Sequence, residues 1–191
     1  YMNLRYIAVV LFAAVPALTP AQETSFSFTS GPLSYVGQGA TRFISPADGH
    51  TFSMVSVGGI VLFSINDVYP NYDYWNVSMS TGDGSLFQPG RTYNAIRYGL
   101  NGLNPGLSFT GPARGNNSLT GYFTVLAATY GQNDVLTSFA ADFMQYDEGF
   151  IEWWNEGHIR YNYIVPEPTV ASLLATAALA FAFRRSRRTR R

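Results

Sequence analysis

The chain has 191 residues, 47% of them hydrophobic, which suffices for one core and makes a single globular domain the expectation. Its formal charge of zero hides an asymmetry: all twelve basic residues are arginine and six of them fall in the last eight positions, so that between Glu23 and Val165 five arginines face eleven acidic residues, a net of −6. An acidic body argues against nucleic acid as a partner, because phosphates demand a basic surface, and the absence of cysteine excludes disulfides and thiolate metal clusters.

Residues 1–21 have the form of a secretory signal peptide. Arg5 makes a short basic region, an apolar run extends from Tyr6 to Val15, and small residues surround Thr19 and Ala21, with cleavage expected after Ala21 or, as a second position, Ala17. As a membrane span the run falls short of the required length of about 20 residues, and Pro16 and Pro20 follow closely.

Residues 22–164 show alternation rather than a sustained helical period. The stretches Thr24 to Thr29, His50 to Val57, Tyr74 to Ser80, Gly121 to Tyr130 and His158 to Tyr163 alternate apolar with polar residues. Between them stand turn-forming clusters: SPADG, NDVYPNYD, TGDG, LNPG, GPARGNN and YGQND. Short strands with regular turn signals predict an all-β fold, an antiparallel β-sandwich of jelly-roll type. The clearest hairpin spans Gly121 to Tyr146 around residues 131–134. On its second arm Val135, Thr137, Phe139, Ala141 and Phe143 share a face, which sends Phe139 and Phe143 to the core and Asp142 to the opposite side. A helix over SFAADFMQY is the alternative, since Phe139 and Phe143 are also four residues apart.

No catalytic constellation stands out. A Ser-His-Asp triad needs a histidine, and only His50 and His158 exist, neither within a nucleophile motif. Asp142, Asp147, Glu148, Glu152 and Glu156 cluster in sequence and make a glycosidase-type carboxylate pair the alternative to a non-catalytic protein; a solvated acidic face is the commoner meaning. No cofactor is expected beyond calcium, for which Asn66, Asp67, Asn71 and Asp73 offer oxygens in one loop, although Asn and Asp also simply favour turns. Tyr69, Tyr72, Tyr74 and Trp75 crowd one loop, and Trp153 and Trp154 adjoin another. Flat aromatic faces near Asn and Asp suit pyranose rings, so Tyr72, Tyr74, Trp75, Trp153 and Trp154 are candidate glycan contacts. Adjacent residues of a strand point to opposite faces, which assigns one of Trp153 and Trp154 to the core.

The C-terminal 27 residues carry a three-part pattern: Val165, Pro166, Glu167 and Pro168; an apolar stretch at 169–183; and a tail at 184–191 holding Arg184, Arg185, Arg187, Arg188, Arg190 and Arg191. Fifteen helical residues cover about 22 Å, which makes 169–183 a short single transmembrane helix that draws on its flanks. Arginines are retained on the cytoplasmic side, which leaves the body outside. The two prolines keep the motif extended and accessible. This pattern resembles the PEP-CTERM sorting signal of exported bacterial proteins. The resemblance implies an exosortase-type processing enzyme as partner, transient anchoring in the membrane, and release or transfer of the body to the cell surface or extracellular matrix, where polysaccharide is the expected contact.

The body is also similar to an uncharacterised exported bacterial domain, through YVGQG at 35–39, PGLSFTGPARGNN at 105–117, LTGYFTVLAATYG at 119–131, SFAADFMQYDEG at 138–149 and IRYN at 159–162. In that family one cysteine commonly follows the Arg-Gly pair and another precedes the Glu-Gly pair. Here Asn116 and Asp147 hold those positions, and the resemblance implies that their two loops lie close together.

Overall fold

A computed structural model describes residues 21–67 and 73–165. Within it the alternating stretches form strands, because alternation places every second side chain on one buried face. The strands are β1 (Gln22–Ser30), β2 (Thr41–Ile44), β3 (Thr51–Val57), β4 (Ile60–Asn66), β5 (Tyr74–Ser80), β6 (Thr92–Arg97), β7 (Gly106–Thr110), β8 (Leu119–Tyr130), β9 (Leu136–Asp147) and β10 (Trp154–Ile164). They join in one sheet of order β2-β1-β10-β9-β8-β6-β7-β5-β4-β3. The fold is therefore all-β, with short 3-10 turns at Pro46–Asp48 and Gln132–Asp134. The helix considered over residues 138–146 is part of β9.

The sheet curls until its halves face each other, and phenylalanines fill the space between. Phe109 on β7 meets Phe26 and Phe28 of β1 and Phe143 of β9, with ring centroids at 5.7, 5.1 and 5.6 Å, while Trp75 of β5 stacks on it at 5.4 Å. Further along, Phe63 of β4 meets Phe139 of β9 at 5.6 Å. Such offset and tilted ring pairs add to the burial of large apolar area.

Two sequence expectations change at this level. The sheet is mixed rather than purely antiparallel, because β6 and β7 run parallel. Parallel neighbours ordinarily need a crossover of a dozen or more residues. Here only Ile96↔Gly106 and Arg97↔Leu107 pair, so β7 begins beside the end of β6 and a short loop suffices. Buried Asn101 closes that loop, accepting from the Gly99 amide at 3.0 Å and donating to the Asn104 carbonyl at 2.7 Å. The second change is in β9. Tyr130 pairs with Leu136 and Thr129 with Ser138, so Thr137 is an extra residue that shifts the parity of the strand start. Leu136 is buried in place of Val135 and Thr137, whereas Phe139, Ala141 and Phe143 line the core as expected.

Candidate functional site

Asp147 ends β9 with no exposed surface, and every neighbour of its carboxylate is a neutral donor. Oδ1 accepts from Asn116 Nδ2 at 2.7 Å, Asn155 Nδ2 at 2.9 Å and Gln145 Nε2 at 3.1 Å. Oδ2 accepts from the Val36 amide at 3.1 Å and lies 2.8 Å from Ser34 Oγ, which is also 2.7 Å from Asn155 Oδ1. The Asp147 backbone holds the following turn as well, donating to the Trp153 carbonyl at 2.9 Å and accepting from the Phe150 amide at 3.0 Å. One residue thus ties together the loops at 31–40, 111–118 and 148–153. Asn116 and Asp147, the two positions that the resemblance to the exported domain implies are close, are in direct contact.

The outer face of β1, β10, β9, β8 and β6 carries a polar row that is readable from the register. Ser27, His158, Asp142, Thr124 and Thr92 stand opposite one another in a single row. His158 Nδ1 and Arg160 Nη2 both lie 2.8 Å from Asp142 Oδ1. The row contains the residue types of a hydrolase triad, an arrangement that sequence order concealed because the three sit on different strands. It lacks the rest of that machinery. No hydrogen bond joins Ser27 to His158 among the described residues, and backbone amides in mid-sheet are engaged in the ladder instead of converging on an oxyanion.

The other acidic residues of 142–156 are dispersed. Glu148 accepts from the Asn117 and Ser118 amides at 2.7 and 3.2 Å and from Ser118 Oγ at 3.1 Å, so it braces the 111–118 loop. Glu156 is exposed on the outer face, opposite Met144 and diagonal to Asp142, and Glu152 is exposed in the turn.

The candidate glycan contacts separate. Trp75 is 3% exposed and stacks on Phe109, so it belongs to the core and offers no ring to a ligand. The parity of β5 gives the reason, since Trp75, Val77 and Met79 share the buried face. Tyr74 is half-buried and accepts from the Ala113 amide at 2.6 Å. Neither Trp153 nor Trp154 is buried, which corrects the assignment of one of them to the core. Trp153 precedes β10 and pairs with Phe150 at 4.8 Å in the turn, where strand alternation does not apply; Trp154 starts the strand and lies over Gly31. Tyr72 and Asn71 lie outside the described residues.

Of the calcium candidates, Asp73 already meets Arg42 Nη2 at 2.7 Å and Trp75 Nε1 at 2.9 Å, and His50 Nε2 is 3.8 Å away, so a cation there competes with an arginine. The Asp67 amide bonds the Asp73 carbonyl at 2.9 Å. No group of three or more His, Asp or Glu suited to a metal occurs among the described residues.

Val165 is the last described residue. Pro166, Glu167, Pro168, the apolar stretch, the arginine tail and residues 1–20 of the expected signal peptide lie outside the described residues. Among the described residues no helix is long and apolar enough to cross a membrane. No known protein family, curated protein or solved structure matches this chain.

Proposed function

We propose that the chain is an exported surface or extracellular-matrix protein, sorted through Val165 to Pro168, with a non-catalytic structural or adhesive role and affinity for polysaccharide. Its body is a sandwich of jelly-roll type, made by folding one sheet on itself. Before processing, the 169–183 helix holds it in the membrane with the arginines cytoplasmic, and an exosortase-type enzyme acts at the motif. The sorting part rests on the order of motif, apolar stretch and arginines. The non-catalytic part rests on one structural observation: three carboxylates of 142–156 are already engaged, with Asp147 buried as a loop tie, Glu148 bracing a loop and Asp142 held by His158 and Arg160.

A carbohydrate-active enzyme is the second reading, favoured by the diagonal placement of Asp142 and Glu156 on neighbouring strands, about 7 Å apart by sheet geometry. Incubation with a polysaccharide panel separates the two. Binding without release of reducing ends is expected; turnover that disappears in Glu156→Gln establishes the enzyme instead. Intact mass of the extracellular form tests the sorting reading, with a C-terminus near residues 165–168 expected and an attached arginine tail counting against it.

A further inference from the structure

We propose that the outer face of β8, β9 and β10 carries the polysaccharide site, and that its ligand is a neutral glycan chain laid across Tyr122, Tyr146 and Trp154. The proposal rests on the polysaccharide affinity put forward above and adds the place and the ligand charge.

Strand register puts these three residues near one another on one face. Trp154 stands directly opposite Tyr146, and Tyr122 stands opposite Met144, two residues before Tyr146. With neighbouring strands about 4.8 Å apart and alternate residues about 6.8 Å apart, the three positions form an oblique strip across three strands. None serves the core. Their sequence neighbours Phe123, Gln145 and Asn155 take the buried positions, while Tyr122 is 40% exposed and Tyr146 and Trp154 are partly exposed. A hydrogen-bonded sheet holds such rings in place before any ligand arrives, which lowers the entropy lost on binding. The Asn155–Asp147 hydrogen bond of 2.9 Å joins the residues immediately after Trp154 and Tyr146, so the buried tie fixes the spacing of this pair.

Chemistry selects the occupant. Pyranose rings present apolar CH faces that stack on aromatic side chains, together with a rim of hydroxyls that needs hydrogen-bonding groups. Asn94 stands opposite Tyr122, Thr120 opposite Tyr146, and exposed Glu156 flanks the strip. The strip's own residues are uncharged, the formal charges beside it are Glu156 and the Asp142–Arg160 pair, and the body carries a net −6. Anionic polymers are repelled by this surface and neutral glycans are not. A protein partner fits less well: a stable interface buries about 1,200–2,000 Å² with a charge-depleted centre, and this strip is bounded by the Asp142, Arg160 and Glu156 charges.

Depletion assays with the full chain on insoluble cellulose, xylan and chitin, with alginate as the anionic comparison, test the proposal. Retention on at least one neutral glycan is expected, and Tyr122→Ala and Trp154→Ala are each expected to weaken it about tenfold with melting temperature preserved for Tyr122→Ala. Tyr122→Phe keeps the ring and is expected to retain binding. Full retention by a folded Tyr122→Ala together with Tyr146→Ala overturns the site while leaving the polysaccharide reading in place. Failure of the unaltered chain on every neutral glycan and on alginate removes both, whereas binding to alginate alone overturns the neutral class.

Discussion

Five donors and no cation surround the Asp147 carboxylate, so the position tolerates an acceptor and nothing else. Asp147→Asn turns one acceptor into a donor facing donors, and the expected loss is about 3 kcal/mol, read as a lower denaturation midpoint with an unchanged denaturant slope. A loss below 1 kcal/mol would show that the loops at 31–40 and 111–118 hold without it. Tyr130 gives a pH-dependent counterpart. Burial raises its hydroxyl above the ordinary 10.0, a shift that the Phe87 contact opposes and that Tyr93 and Asp134 reinforce. A folded value above the unfolded one contributes stability in full below pH 10, and that contribution is lost as pH rises through the folded value. Tyr130→Phe leaves the Phe87 amide, now bonded at 2.7 Å, without its acceptor. It is expected to cost about 1 kcal/mol at neutral pH and to flatten the alkaline decline; equal alkaline slopes in both proteins would remove Tyr130 as the cause. The acid side belongs to exposed carboxylates. Ser45 holds Asp48 below its ordinary range and Ser85 holds Asp83 there, so their small contributions are present above pH 3.8 and fade below it. None of this residue-level detail is legible in sequence, because Ser34, Asn116 and Asp147 are up to 113 positions apart, although the resemblance to the exported domain did place two of these positions together.

Strands were legible where alternation was strong. The stretch Tyr74 to Ser80 is β5 to the residue, and His50 to Val57 contains β3. The hairpin around residues 131–134 also stands, as β8 and β9. What escaped were the short β2 and β7 and the strands β4 and β6, embedded among glycine-rich turns. The β6/β7 pairing escaped too, since local pattern does not encode a two-residue parallel overlap. Aromatic crowding misled at Trp75, where the parity of the following Val77 and Met79 was the better guide. Glycine in a strand carries its own signal. Gly157 in β10 faces the core directly over Phe143, and a Cβ there would stand 2.2 Å from the ring. Gly157→Ala is expected to cost about 1–3 kcal/mol through overpacking; recovery of stability on adding Phe143→Leu in a double-mutant cycle identifies that ring as the obstacle, and simple additivity would place the strain elsewhere.

At the scale of the whole molecule, the buried cluster of the described residues runs from Phe26 to Ile159 within the compact unit Gln22–Val165. Charge divides the chain along the same lines. The formal net of zero for 191 residues depends on the terminal arginines, and the stretch from Glu23 to Val165 taken alone carries −6. On the proposed sorting reading, removal of the tail would change the electrostatic character of the protein as well as its anchorage, because an acidic body repels its own copies and anionic polymers. This difference gives a direct readout of processing. The extracellular form is expected to bind an anion exchanger at pH 7 and to elute only with added salt, whereas the full chain, extracted in a neutral detergent, passes through. Co-elution of the two forms would mean that the arginines remain attached and that the acidic body never acts alone.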